Sequence, residues 1–419
     1  FLTFHRLLHS KPSTMKSSKI SFTNAQGEVL SGRLDLPAEQ DPHNFAIFAH
    51  CFTCTKDFSA VRNVSKALAS QGFGVLRFDF TGLGDSDGDF ADTNFSSNVT
   101  DLIAAADFLA REHKAPSLLV GHSLGGAAAI FAGKQIDTIK AIATIGAPSN
   151  PVHVQKQLGA QLEIIKQQGE AVVTLAGRDF TFKKQFIDDL EDCSCVAAAA
   201  KLHKALLIMH SPQDDTVSIK NAEEIYLAAH HPKSFVTLDG SEHLLIDKKN
   251  ASYVGRIVAG WAARYIDTPQ IETIKSTHQV AASLDSEDGF TTNMKLGSHY
   301  LKADEPIRVG GNDYGPTPYE LVAAGLSACT AMTIQMYAKR KGWKIDNVEV
   351  HTSYDKTHKA DCESCEDDAS AKIDTFTRAI KFTADLDEKQ IARLIQIADK
   401  CPVHKTLHSE TQVITTLVR

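Results

Sequence analysis

From about residue 18 to 265 the chain alternates short apolar runs with stretches whose apolar positions recur at helical spacing. Residues 46–49, 74–80, 117–120, 139–145, 205–209 and 234–238 are predicted strands, and 61–70, 98–112 and 254–265 are predicted helices. Strand–helix alternation of this kind predicts a mostly parallel sheet with helices on both faces. Residues 150–204 interrupt the rhythm with a mixed helical insertion between two strands, which reads as a small cap over one end of the sheet.

Asp267-Thr268-Pro269 ends the helix over 254–265, and the pattern changes. Residues 270–310 predict antiparallel strands, with turns at Ser286-Glu287-Asp288-Gly289 and Val309-Gly310-Gly311-Asn312. A long apolar helix follows over 318–341. Next come a strand (347–353), an acidic loop (361–370), a strand (375–383), a helix (387–400) and a final strand (412–417). The organisation predicted is an extension at 1–17, an α/β domain at 18–266 with its cap at 150–204, a linker at 267–274 and an α+β domain at 275–419.

Composition removes several function classes. The chain has 419 residues, 43% hydrophobic and 23% charged, which is ordinary for a folded globular protein. A net charge of -7 without a long basic run argues against a nucleic-acid partner. No stretch approaches the roughly 18–20 consecutive apolar residues of a membrane span. Residues 1–14 carry two histidines and an arginine among their apolar residues, which makes a poor signal peptide. Met15, followed by Lys16-Ser17-Ser18-Lys19, reads as the natural start, and the segment before it as an upstream extension. The eight cysteines do not form a disulfide framework in a chain this long; they predict a reduced, cytoplasmic protein with some reactive thiols.

The first candidate chemistry lies at Gly121-His122-Ser123-Leu124-Gly125, between an apolar strand and a small-residue helix. In this G-x-S-x-G context a sharp turn lifts one serine hydroxyl above the sheet end, and the glycines leave room for it. Ser123 is the candidate nucleophile. A serine needs a base, and the base needs an orienting acid, in the chain order Ser, acid, His. After the strand at 205–209 the chain reads His210-Ser211-Pro212-Gln213-Asp214-Asp215, where Asp214 is the chosen acid and Asp215 its competitor. His243, on the loop after the last strand, is the base. Two backbone N–H groups would bind the oxyanion: that of Leu124, and that of Phe52 in His50-Cys51-Phe52-Thr53-Cys54.

These residues resemble the α/β-hydrolase superfamily, over about residues 18–265. The resemblance implies a serine hydrolase acting on small to medium carboxylic esters through an acyl-enzyme. The chain departs from the superfamily at Cys51, where glycine is usual. Asp79 and Asp85, in Arg77-Phe78-Asp79-Phe80-Thr81-Gly82-Leu83-Gly84-Asp85, read as structural. Cys51-x-x-Cys54 admits a redox reading; its place beside the oxyanion loop favours packing.

The second candidate chemistry is a thiol pair. Residues 304–321 lead into Ala328-Cys329-Thr330 within the long apolar helix, and Cys401-Pro402 follows a later helix. This pattern resembles the OsmC/Ohr family over about residues 275–419, and the whole chain resembles a recurrent bacterial fusion of the two domain types. The fold class expected is therefore an α/β-hydrolase fold with a small helical cap, followed by an α+β OsmC-like domain.

The resemblance implies that Cys329 is peroxidatic and Cys401 resolving, with an organic hydroperoxide as substrate and a dithiol as reductant. It also implies an Arg and a Glu that activate the first thiol, and a homodimer formed through this domain. The family's Glu position holds Tyr319. Glu320, nine residues before Cys329, and Arg308, the only Arg in this domain before Cys329, are the remaining candidates. His358, Cys362 and Cys365 have a spacing that supplies three zinc ligands, a redox pair or a solvated loop; no metal or other cofactor is expected. The alternative is a non-catalytic dimerisation or binding module beside an ester or thioester hydrolase.

Overall fold

The computed structural model describes residues 15–38, 40–175, 177–268, 274–358 and 372–417. Its contacts divide the chain into two units, Phe1–Glu272 and Thr273–Arg419.

The first unit opens with a hairpin that the apolar pattern did not predict, β1 (Met15–Thr23) and β2 (Val29–Pro37). Met15 pairs with Pro37, and the Ser17 hydroxyl donates to Asp35 at 2.5 Å. Residues 15–17 therefore belong to the fold and not to an extension. The next strands are β3 (Asn44–Ala49), β4 (Phe73–Phe78), β5 (Leu118–His122) and β6 (Ala141–Ile145), all buried along their whole length. After the cap hairpin, β7 (Glu170–Leu175) and β8 (Arg178–Lys183), the sheet resumes with β9 (Ala205–His210) and β10 (Lys233–Thr237). The sheet order is β1-β2-β4-β3-β5-β6-β9-β10. From β4 to β10 all neighbours are parallel, and β2 runs against both of its neighbours.

Successive strand residues serve opposite faces, as the pleat requires. Ile47, Leu119 and Ile208 pack with α2 (Phe95–Glu112) and α3 (Leu124–Gln135). Phe48, Val120 and Leu207 pack with α1 (Ser59–Ala69) and α8 (Lys248–Ala262). This two-faced burial explains why the strands read as unbroken apolar runs.

The cap contains a 3-10 segment, Pro151–Leu158, then α4 (Gln161–Gln168), the hairpin β7–β8, α5 (Lys184–Glu191) and α6 (Cys195–Ala200). The hairpin adds two strands to the mixed helical insertion expected here. Phe180 and Phe182 are buried while the residues between and beside them are not, which is strand periodicity. Between α6 and α8 lies α7 (Lys220–Ala228), after β9.

In the second unit β11 (Val280–Ser283), β12 (Thr292–Leu296) and β13 (His299–Ala303) form an antiparallel sheet. Helix α9 (Pro318–Lys341) packs against β14 (Asn347–His358), α10 (Glu388–Ala398) and α11 (Pro402–Leu407), and β14 pairs with β15 (Lys372–Thr383). Helix α9 is the long apolar helix expected there; its length and mean hydropathy would meet those of a membrane span, a test that the core helix of a globular domain passes as well. The final strand predicted at 412–417 is absent. A strand needs an edge to bond to, and this segment pairs with none among the described residues.

The loop after β4 is held by a buried carboxylate. Asp79, fully buried, accepts from the Lys56 backbone N–H at 2.6 Å, the Lys56 ammonium at 2.5 Å and the Asp85 N–H at 3.0 Å. Asp79→Ala would leave the Lys56 charge buried beside only Asp85, and is expected to destabilise the first unit by about 3–5 kcal/mol. Asp85→Ala removes a carboxylate whose side chain is 78% exposed and should leave the unfolding midpoint nearly unchanged. Urea unfolding followed by tryptophan fluorescence distinguishes the two.

Candidate active site

The turn after β5 carries Ser123 at φ 55°, ψ -126°, outside the ordinary range for a side-chain-bearing residue. Its N–H donates to Ile145 O at 2.8 Å, and α3 begins at the next residue. A Cβ on Gly121 would lie 2.3 Å from Gly125 O, and one on Gly125 2.3 Å from His50 O. Both obstacles are backbone, so no side chain fits at either place. The glycines let α3 lie against the end of β5 and against the loop after β3.

The structure brings Ser123, His243 and Asp214 together. His243 Nε2 is 3.0 Å from Ser123 Oγ, and His243 Nδ1 is 2.7 Å from Asp214 Oδ2. Asp214 Oδ1 accepts from the N–H groups of Val217 at 2.7 Å and Thr216 at 3.0 Å. Burial raises the Asp214 pKa, but hydrogen bonding with His210, His243 and the Val217 N–H outweighs it and holds the carboxyl well below the usual carboxylate range. Asp215 is exposed and, among the described residues, bonds only to the Thr216 hydroxyl. Of the two carboxylates it is Asp214 that contacts His243.

Two further histidines, which the motif search did not assign, flank this line. His122 Nε2 donates to His243 O at 2.7 Å, and His210 Nε2 sits 3.5 Å from Asp214 Oδ2. Burial, helped by the charge of His243, pushes His122 down to about 4, so it is neutral at pH 7. A neutral, buried imidazole here fixes the backbone of His243 without adding a charge beside it.

The N–H groups of Phe52 and Leu124 make no hydrogen bond to another described residue. Leu124 opens α3, where an N–H has no carbonyl one turn earlier. The loop bearing Phe52 is fastened along its length. His50 Nδ1 donates to Cys51 O at 2.8 Å, Cys54 N–H donates to the same oxygen at 3.1 Å, and Arg77 donates to Lys56 O at 2.7 Å. Cys51 and Cys54 are joined by a disulfide, which corrects both the packing role and the expectation of reduced thiols at this pair. A C-x-x-C pair in a tight turn has the two side chains close enough to bond.

A small cavity touches His50, Cys51, Phe52, Phe80, Leu124 and Gly125. The cap meets it at Phe52. Phe52 packs among Phe90, Phe182 and Phe186, and Arg178 of β8 donates to Thr53 O. A second, open groove is lined by Asn150, Val152, His153, Gln155, Lys156 and Asn221. Burial, and then the charges of Lys156 and His243, lower the His153 pKa.

In the second unit Cys329 is half-buried on α9, Cys401 is fully buried at the N-cap of α11, and both are free thiols. Cys401 Sγ lies 3.6 Å from the hydroxyl of Thr330, the residue after Cys329, and accepts from His404 N–H at 3.3 Å. The Thr330 hydroxyl donates to Leu326 O at 2.7 Å, so it accepts towards the thiol. Arg378, which the sequence analysis missed, organises this corner. It donates to Thr330 Oγ1 at 2.8 Å, to Asp399 at 2.7 Å, to His404 Nδ1 at 3.0 Å and to Ala398 O at 3.2 Å. Its signal was obscure, because it lies in an ordinary alternating strand 48 residues from Thr330.

The structure corrects both activator candidates. Glu320 closes the α9 capping box, accepting from Thr317 N–H at 2.8 Å, at the N-terminal end of the helix while Cys329 lies at its middle. Arg308 is exposed and has no ion pair with another described residue. Tyr319 stacks on Tyr354 at 4.1 Å. Cys362 and Cys365 lie outside the described residues, as does the side chain of His358; among the described residues no group of three potential ligands is assembled.

Residues 45–176 match the family described as serine aminopeptidase S33, and residues 310–416 match OsmC-like protein. The crystal structure of the esterase domain of a Rhodothermus marinus protein is 45% identical, covering 60% of this chain and 99% of that one, with a TM-score of 0.51. Est1E from Butyrivibrio proteoclasticus, solved with ferulic acid bound, is 23% identical over 59% of this chain and 98% of its own, with a TM-score of 0.52, and shares the fold. No curated protein matches the chain.

The neutral His122 generates a pH prediction. The unfolded histidine takes up a proton below its ordinary 6.5, while the folded one resists protonation down to about 4. Its contribution is complete above pH 6.5 and is lost as pH falls towards 4, by about 1.4 kcal/mol per pH unit and about 3 kcal/mol in all. Urea midpoints measured between pH 7 and pH 4 should fall less steeply in His122→Gln than in the wild type.

Proposed function

The chain belongs to the α/β-hydrolase esterases through its first unit and carries an OsmC-like domain in its second, and from that premise we propose a serine carboxylic ester hydrolase joined to a thiol peroxidase. The observation that carries the first half is the hydrogen-bonded line from Asp214 through His243 to Ser123, with two unbonded N–H groups beside it. Ser123 Oγ attacks the ester carbonyl carbon and gives its proton to His243 Nε2. The carbonyl oxygen takes the negative charge and is met by the N–H groups of Phe52 and Leu124. Asp214 remains ionised and holds the imidazole in the tautomer whose Nε2 accepts. Collapse of the intermediate expels the alcohol, which takes the proton from His243. A water activated by the same imidazole then releases the acid and restores Ser123. The small cavity at Phe52 and Leu124 favours a short acyl group, and the open groove at Lys156 and His153 favours placing the alcohol there.

In the second half, the Cys329 thiolate attacks the terminal oxygen of an organic hydroperoxide. The O–O bond breaks, an alcohol leaves, and the sulfur becomes a sulfenic acid. Cys401 condenses with it, releasing water and forming a disulfide that an external dithiol reduces. Arg378 is a positioning residue here, holding Thr330 and His404 about Cys401. The second reading, a dimerisation module, draws on a different observation. Met332 and Met336 on α9, and Val413, Ile414 and Leu417 beyond α11, are 65–86% exposed apolar side chains that a second copy of the chain would cover.

Ser123→Ala should lower hydrolysis of p-nitrophenyl acetate at least about 10³-fold, and Asp214→Asn by about 10²–10⁴-fold, both acting on kcat. Hydrolysis that survives Ser123→Ala within tenfold of wild type rejects the reading.

For the second unit, cumene hydroperoxide consumption with dithiothreitol should disappear in Cys329→Ser and weaken in Arg378→Gln. No consumption above background in the wild type would leave the dimerisation module, which light scattering would then show as a dimer.

A further inference from the structure

We propose that Cys51 and Cys54 form a reversible thiol–disulfide site, served by a small dithiol, whose state sets whether the oxyanion loop is competent. The proposal rests on the serine-hydrolase reading above and adds a chemical control to it.

The disulfide spans Phe52 and Thr53, and Phe52 carries one of the two N–H groups assigned to the oxyanion. The residues outside the pair are held independently of it. His50 is buried and bonded between Cys51 O and the Phe80 N–H, while Lys56 is locked by Asp79 and Arg77. Between the cysteines the Phe52 ring packs among Phe90, Phe182 and Phe186, while the backbone at Thr53 is held only at its carbonyl among the described residues. Thr53 adopts φ 60°, a left-handed conformation that a β-branched residue rarely takes. Something must impose it, and two restraints are at hand: the covalent bridge from Cys51 to Cys54 and the Arg178 bond to Thr53 O.

The chemistry of the pair fits a reversible site. Cys51 is buried and Cys54 is half-buried, so an incoming thiolate reaches the Cys54 sulfur. The Cys51–Cys54 bond breaks, a mixed disulfide forms at Cys54, and Cys51 leaves as a thiolate that takes a proton. The second thiol of the reductant then displaces Cys54, the reductant departs as a cyclic disulfide, and both cysteines become thiols. Two electrons and two protons pass from the dithiol to the pair.

Two thiols occupy more room than a bonded pair. Cys51 is held by the core around it, so Cys54 and Thr53 move. The Phe52 N–H then turns from the position where the developing oxyanion would meet it. Because Phe52 also packs among Phe90, Phe182 and Phe186, the change reaches the cap. Loss of one aimed donor acts on the transition state more than on substrate binding.

The test uses the full-length protein with p-nitrophenyl acetate, poised in buffers of dithiothreitol and its cyclic disulfide. Alkylation and peptide mass mapping report the state of Cys51 and Cys54. We expect kcat to fall about tenfold as this pair is reduced, with KM changing less than twofold, and to return on reoxidation. Cys54→Ser should sit permanently at the low rate and ignore the redox buffer, although it keeps every other cysteine except Cys54. A fall of less than threefold, a rise, or an equal response in Cys54→Ser overturns the proposal; reduction of the wild type decides the matter if that variant does not fold. Ser123→Ala separates the two failures. If it abolishes hydrolysis while the rate ignores the redox state, the switch alone is wrong. If it leaves hydrolysis intact, the serine-hydrolase reading itself has failed.

Discussion

The close approach of α3 to the end of β5 and to the loop after β3 is the constraint on which the catalytic end of the first unit depends. It brings backbone against backbone, with no side chain between, at Gly121 and Gly125. Ser123 can hold its unusual φ only because the strand before it and the helix after it are both fixed by the packed sheet. The same contact sets the N-terminus of α3 beside the loop that carries Phe52. Ser123 and the N–H groups of Phe52 and Leu124 are thus placed by one packing decision. His243 and Asp214 arrive from neighbouring strand ends of the same sheet, so their register is inherited from β9 and β10.

Much of this was legible in the sequence, and for a physical reason. A strand buried on both faces must be apolar throughout, and a turn without room for a Cβ must be glycine. Both leave marks that a single sequence displays. Ser123, Asp214 and His243 were identified because their order and loop positions follow from such marks. The hairpin β1–β2 was missed because its outer strand is half exposed and its apolar residues are few. The hairpin β7–β8 was missed because two buried phenylalanines are a weak period of two within a helical neighbourhood. Arg378 left no mark, since an arginine in an exposed-edge pattern looks the same whether it faces water or a thiol. The Cys51–Cys54 spacing was visible, but bonding depends on the turn between them and not on the spacing.

The two units place their chemistry differently. In the first, the reacting groups stand on a sheet whose two layers bury dozens of apolar side chains. In the second, the compact core is a handful of residues, including Ile334, Ala338, Ile345, Leu394 and Ala398. Polar bonds do more of the positioning there. Arg378 alone joins β15, α9, the end of α10 and α11 by four hydrogen bonds. Glu320 and Thr317 close one end of α9 in the same manner.

The bond from Arg178 to Thr53 O bears on how such a scaffold diversifies. A cap hairpin fastened to the loop proposed to polarise the carbonyl is a wall and not a door. Changing the wall changes the aim of the loop, so variation there trades turnover against fit. The open groove lined by His153, Gln155 and Lys156 has no hydrogen bond to that loop among the described residues. A substitution along that groove can reshape what binds without moving the Phe52 loop, whereas one in the phenylalanine cluster beneath the hairpin moves both.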